Sequence, residues 1–287
     1  MYKNIVIAYD DSEFSKAALL ESTCLIKRYG GKAVLVHSVF FDEEEFVIDP
    51  SQREKRIELG KKACYSRQAK VSAEMGLNGD LQALVCEGEP HNVLTDVAKA
   101  RNADLIAIGT HGRKGLKKIF IGSVTAKVIT DSPCDVLVVK KQFGKCTGRY
   151  DSILLSFDGS KFSEKALEKA CEFACTDGSR ITAVYVVPRY EEMIEFFATS
   201  FIRENLRHDA EHVIEKARTI AKDHGVQIDT EIVEGDEADK IIETANRLKN
   251  NLIMRGTHGW TGINRAIIGS IAERIIINAP CPVLVVK

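Results

Sequence analysis

The chain has 287 residues, 45% hydrophobic and 28% charged, enough apolar material to bury a sizeable core. Its 40 Lys and Arg oppose 41 Asp and Glu for a formal net charge of −1, which excludes a global electrostatic footprint for nucleic acid. The first apolar run ends within a few residues at Asp10 and Asp11, too short for a secretory signal, and no stretch approaches the roughly 18 apolar residues of a membrane span. A cytoplasmic protein without a membrane partner is expected, its eight cysteines mostly reduced.

In chain order, β-branched runs predict strands at Ile5–Tyr9, Ala33–Val39, Leu81–Val85, Leu105–Ile108 and Val136–Val139. Helical patterns fall between them at Ser15–Tyr29, Gln52–Glu74, Val93–Ala100 and Thr125–Thr130, with Gly76 and, later, Gly225 placed as left-handed helix ends. The polar stretch from Lys141 to Arg149 then reads as a linker. After it the pattern returns. Asp10, Ser12, Ser15, Ala18 and Leu19 recur 148 residues later as Asp158, Ser160, Ser163, Ala166 and Leu167. Gly109-Thr110-His111-Gly112 recurs as Gly256-Thr257-His258-Gly259, and the endings Pro133-Cys134 and Pro280-Cys281 each lead into Val-Leu-Val-Val. Matched blocks in the same order mark an internal repeat. Strands alternating with helices, and strands apolar on both faces, predict an α/β fold: two tandem domains, 1–140 and 149–287, each a mostly parallel five-stranded sheet with helices on both faces.

Each copy carries Gly-x2-Gly-x9-Gly-Ser directly after a strand: Gly109, Gly112, Gly122 and Ser123, then Gly256, Gly259, Gly269 and Ser270. Open α/β sheets bind ligands at that carboxyl edge, where glycines allow unusual backbone angles and close approach of N–H groups to an anion. The Gly-Ser pair opens a helix whose first N–H groups and dipole suit a phosphate. Asp10 and Asp158 close the first strand of each copy; they accept hydrogen bonds from a ribose, or else cap the next helix together with Ser12 and Ser160.

Together the Asp-x-Ser turn, the glycine–serine stretch and the final Val-Leu-Val-Val strand resemble the universal stress proteins, across nearly all of both copies. The resemblance implies Rossmann-like domains of the adenine-nucleotide α-hydrolase kind, and a cytoplasmic stress or regulatory protein holding ATP or AMP, with magnesium where the nucleotide is ATP. It assigns phosphates to the glycines and serine, and ribose and adenine to the first-strand acid and groups after the second strand. Carried over, that means Asp10, Ser38, Ile108, Gly109, Gly112, Gly122, Ser123 and Val124 in copy one. In copy two it means Asp158, Val186, Gly256, Gly259, Gly269, Ser270 and Ile271. Relatives pair through the last strand, so the two copies are expected to form a pseudo-dimer within the chain; further pairing of two chains, and a protein partner, stay open. The alternatives are a slow ATP hydrolase and an interaction module with decayed sites; no catalytic residue or metal ligand is assigned.

Copy one departs from the pattern with Asp11 where copy two has Gly159, a position where aspartate tolerates positive φ. Copy two departs with Arg255 in place of Ile108, and with Glu237 in place of Pro90. Copy one is therefore the expected binder. His208 and His212 share a helical face but lack a third ligand, so a solvated face is preferred to a metal site. Cys171 and Cys175 read as buried thiols, Cys134 and Cys281 as packing residues. His111 and His258 either approach a phosphate or lie exposed. Phe196, Phe197 and Phe201 form a core helix face or a partner surface.

Overall fold

The computed structural model describes residues 1–40, 50–77, 79–112, 120–141, 146–188, 200–257 and 268–287, with backbone alone at 50 and 200–205. The chain divides into two compact units, the first built on Met1–Arg149 and the second beginning at Tyr150. The first runs β1 (Asn4–Ala8), α1 (Glu13–Tyr29), β2 (Lys32–Val39), α2 (Pro50–Met75), β3 (Leu81–Glu87), α3 (Pro90–Ala100), β4 (Leu105–Gly109), α4 (Ser123–Asp131) and β5 (Asp135–Val139). The second repeats the plan: β6 (Ser152–Ser156), α5 (Lys161–Asp177), β7 (Arg180–Val187), α6 (Ser200–Asp223), β8 (Asp229–Glu234), α7 (Glu237–Leu248), β9 (Leu252–Gly256), α8 (Ser270–Asn278) and β10 (Val283–Val286).

Strand order in the first unit is β3-β2-β1-β4-β5, every pair parallel. In the second it is β8-β7-β6-β9-β10, again parallel. β1 lies between β2, register Ile5↔Ala33, and β4, register Ile5↔Leu105. The order reverses there, which leaves a crevice beyond the carboxyl ends of β1 and β4. Ile5, Val6 and Ile7 are at most 2% exposed, so helices cover both sheet faces and a continuous apolar run is required.

Helix starts follow local chemistry. Ser12 Oγ accepts from Ser15 N at 3.1 Å and Ser160 Oγ from Ser163 N at 3.2 Å, capping α1 and α5. Gly76 and Gly225 take φ of 68° and 71° at the ends of α2 and α6, as left-handed helix ends do. α4 begins at Ser123, two residues before the expected start at Thr125, which puts Ser123 and Val124 in its first turn. Among the described residues no helix is long and apolar enough to cross a membrane.

Two expectations need correction. Cys175 is exposed rather than buried, although Cys171, one turn earlier, is buried. It falls in the last turn of α5, where the covered face gives way to solvent. The stretch leading to Arg149 also does more than span a gap: Gly148 is buried against α1, and a Cβ there would stand 2.3 Å from the Cys24 carbonyl oxygen. Cys146 Sγ lies 3.4 Å from Glu21 Oε2 on the same helix.

Phe173 is fully buried in the second unit, its ring edge-on to Tyr150 at 5.6 Å and 74°. Phe173→Ala removes that packing and is expected to cost about 3–5 kcal/mol. Urea unfolding reads the cost as a lower midpoint at unchanged slope; a loss below about 1 kcal/mol contradicts the core placement.

Candidate functional site

The turn after β1 is built by side chains bonding their own backbone. Asp10 Oδ1 accepts from Ser12 N at 3.0 Å, and Asp158 Oδ1 from Ser160 N at 2.9 Å. Capping therefore falls to the serines, and the aspartates brace the turn. Asp11 takes φ 66° and Gly159 φ 79°, the positive angle at which copy one substitutes aspartate for glycine. The Asp11 carboxylate repays that position locally. Tyr9 Oη donates to its Oδ1 at 2.7 Å, with Lys16 Nζ at 3.4 Å and Arg67 Nη2 at 3.6 Å. The Tyr9 bond, helped by those two cations, holds the Asp11 carboxyl below the usual range. Burial, with the Asp11 contact adding to it, pushes the Tyr9 phenol up to about 12.

A cavity of about 520 Å³ opens at the crevice of the first unit. All eight residues singled out in copy one line it: Asp10, Ser38, Ile108, Gly109, Gly112, Gly122, Ser123 and Val124. Its floor comes from β1, β2 and β4 through Ala8, Val36, Ser38 and Ile108; one wall is the start of α3, with Pro90 and Leu94. The far end is the first turn of α4. No side chain caps α4 at Gly122, unlike α1, so its first N–H groups are left for an acceptor from outside the helix. Thr125 Oγ1 donates to the Gly109 carbonyl oxygen at 2.7 Å, tying that turn back to β4.

The motif glycines have a different reason from the one expected. None of the described ones takes a positive φ, and Gly122 sits at φ −60°, ψ 139°, which any residue adopts. What they supply is room. A Cβ on Gly109 would stand 2.6 Å from Phe14 Cβ, and one on Gly256 2.6 Å from Phe162 Cβ, so these glycines let α1 and α5 close onto β4 and β9. A Cβ on Gly112 would lie 2.8 Å from Asp10 Oδ2 and one on Gly122 3.1 Å from the Thr110 carbonyl oxygen. Gly269 has nothing within 4 Å.

His111 is not exposed. It is buried, with Nδ1 3.1 Å from Thr110 Oγ1, Nε2 on the Phe120 carbonyl oxygen, and its ring 5.2 Å from Phe14. It bridges the two described ends of the glycine loop while lining the cavity. Pro90, Leu94, Phe120 and Thr125 were not named as lining residues; Leu94, an apolar position on a helix, looks like ordinary core in a sequence. The only available signal was Pro90, a proline at the first helical position beside the carboxyl edge.

In the second unit Asp158, Val186, Gly256, Gly269, Ser270 and Ile271 occupy the matching elements: the β6 turn, β7, the end of β9 and the start of α8. α8 also lacks a side-chain cap. Arg255 is half-buried on β9 at the position of Ile108, with Nε donating to its neighbour's carbonyl oxygen on Gly256 at 3.2 Å. Glu237 starts α7 at the position of Pro90. Burial pushes the Glu237 carboxyl up, opposed by Arg255 and reinforced by Asp158. Gly259, His258, Phe196 and Phe197 lie outside the described residues, as do the surroundings of the Phe201 side chain. His208 and His212 meet ring to ring, edge-on at 4.4 Å.

The model of the Universal stress protein family matches residues 1–140 and 149–287. A universal stress protein of Methanocaldococcus jannaschii is 38% identical over 140 residues, 48% of this chain and 82% of the relative. One from Thermus aquaticus is 32% identical over 143 residues, 49% of this chain and 100% of the relative. Among solved structures, a universal stress protein from Archaeoglobus fulgidus DSM 4304 aligns over 99% of this chain and 96% of its own, with TM-score 0.72 at 22% identity, a likeness of fold.

The Asp11 cluster yields a pH-dependent expectation. Because its folded pKa is depressed, its stabilisation is present above the unfolded value of about 3.9 and is lost as pH falls through the folded value. Asp11→Asn keeps the tolerance for positive φ, and screening of a half-exposed group limits its cost at pH 7 to under about 1 kcal/mol. Denaturation midpoints of the two proteins should converge below about pH 4; a gap unchanged down to about pH 3 contradicts the assignment.

Proposed function

The chain belongs to the universal stress protein family, and from that premise we propose that its first domain binds an adenine nucleotide, ATP or AMP, as a regulatory ligand. The supporting observation is that the eight residues assigned from the motif surround one cavity, whose volume falls in the usual range for small-molecule sites. Phosphates go to the first turn of α4, where unspent N–H groups, the positive end of the helix dipole and the Ser123 hydroxyl converge. Asp10, already fixed by its bond from Ser12 N, is placed to accept from the ribose hydroxyls. The base rests among Val36, Ile108, Pro90 and Leu94, next to Ser38, whose hydroxyl donates to the Gly88 carbonyl oxygen and so holds that edge of the cavity.

The residues present fit such a ligand: the cradle is one that a Cβ on Gly112 would fill, and the helix start is uncapped. Where the nucleotide is ATP, magnesium would travel on its phosphates and offset their charge, while Asp10 and the α4 amides hold position. The described lysine on α4, Lys127, is engaged by Glu89 at 2.8 Å, so among the described residues it is the helix end that is left to meet the phosphates. The cytoplasmic setting and a role in stress belong to the same reading.

Calorimetric titration of the full chain tests it. Gly122→Asp places a carboxylate at the α4 cap and should weaken ATP and AMP at least tenfold, about 1.4 kcal/mol. Ser123→Ala removes one hydroxyl donor and should weaken them by roughly 2- to 10-fold. No binding of ATP, ADP or AMP by the wild-type chain at millimolar concentration would retire the proposal.

A further inference from the structure

The segment that leads out of the first domain is laid along α1. Cys146 Sγ lies 3.8 Å from the Leu20 carbonyl oxygen and 3.4 Å from Glu21 Oε2. Two residues on, Gly148 takes φ 68°, and a Cβ there would stand 2.3 Å from the Cys24 carbonyl oxygen and 3.1 Å from Leu25 N. Only a residue without a side chain lets the chain come this close. Cys146 is thereby held over the turn of α1 that begins at Leu20.

Cys24 reaches the same place from the helix. Side chains on an α-helix tilt toward its N-terminus, so each covers the turn before its own Cα. For Cys24 that turn is Leu20 and Glu21, the two residues that Cys146 Sγ touches. The two sulfurs meet there, and their thiols share a hydrogen bond. The bond from Cys146 holds the Cys24 thiol below its usual range, against burial and the Glu21 charge. Cys24 is 5% exposed, whereas Cys146 is half-buried and gives the pair its way out to solvent. Neither lines the cavity of the first domain. The second domain has Glu172 at the position of Cys24, so the pair is particular to the first.

We propose that Cys24 and Cys146 are an oxidation site, closing reversibly to a disulfide when the chain meets hydrogen peroxide. The Cys24 thiolate attacks one peroxide oxygen; the O–O bond breaks, and the departing hydroxide takes up the proton that Cys24 gave up, leaving as water. The Cys146 sulfur then attacks the Cys24 sulfenic acid; the S–O bond breaks, the S–S bond forms, and the Cys146 proton leaves with the hydroxide as a second water. Two thiols are oxidised to one disulfide and one peroxide is reduced to two waters. The bond staples the exit of the first domain to α1 and closes a loop that contains β2 to β5, the kind of long loop whose closure restricts the unfolded chain most.

The test is independent of what the cavity holds. The reduced full chain is treated with hydrogen peroxide, alkylated, digested and read by mass spectrometry. The expected product is a peptide pair joining Cys24 to Cys146 within one chain, lighter by two hydrogens and separated again by dithiothreitol. Urea should unfold the oxidised chain at a higher midpoint than the reduced one, and Cys146→Ser should abolish both the cross-link and that difference. Cys175→Ser, at an exposed thiol, should leave the cross-link intact. Because Cys24 is buried, Cys146→Ser at the half-buried partner carries the test even where Cys24→Ser fails to fold. Cys24 and Cys146 recovered as free thiols after peroxide has oxidised Cys175 overturn the proposal. So does sulfinic acid at either residue without the cross-link, or a cross-link found only between chains.

Discussion

The approach of α1 to the end of β4 is the contact on which the rest of the first domain's site depends. Gly109 has no Cβ, and the space one would need is taken by Phe14 at 2.6 Å. Because α1 starts only a few residues after β1, this seating also fixes the turn at Asp10 to Ser12, braced by its own carboxylate and capped by its own serine. The turn in turn stands against Gly112, and His111 and Thr125 fasten the glycine loop and α4 back onto β4 and Phe120. Loosening the glycine would move the acid and the helix end together. The second domain repeats the device at Gly256 and Phe162.

Much of this was legible in the residues, for identifiable reasons. The parallel sheet follows from runs such as Ile5–Ile7 that are apolar on both faces, and the repeat from blocks matched in order. Asp10, the glycines and Ser123 could be named because they are polar or glycine, and such residues stand out against a strand–helix background; Ser38, Ile108 and Val124 came only with the family resemblance. Pro90, Leu94 and Phe120 could not be named, since nothing in a sequence separates an apolar residue facing a cavity from one facing core. The reason for the glycines was also out of reach: positive φ and steric room leave the same letter behind, and only coordinates show that room is what Gly109 and Gly256 provide. His111 illustrates the same limit, its loop position concealing a buried ring with both nitrogens engaged.

The two domains share a scaffold and differ at corresponding positions within it. Asp11 and Gly159 meet the same backbone demand with different chemistry, and aspartate adds contacts to Tyr9, Lys16 and Arg67 that glycine cannot make. Ile108 and Arg255 hold the same strand position, yet one is apolar and lines the cavity while the other introduces a half-buried guanidinium. The uncapped starts of α4 and α8 and the braced turns at Asp10 and Asp158 are common to both domains; the positions of Pro90 and Ile108 are not.

The most direct measurement is to denature freshly purified protein and identify any released small molecule by mass spectrometry. The account predicts an adenine nucleotide, released from wild-type protein and reduced in the Gly122→Asp variant. Adenine nucleotide recovered equally from both proteins would place it elsewhere and contradict the assignment of the α4 end as the phosphate seat.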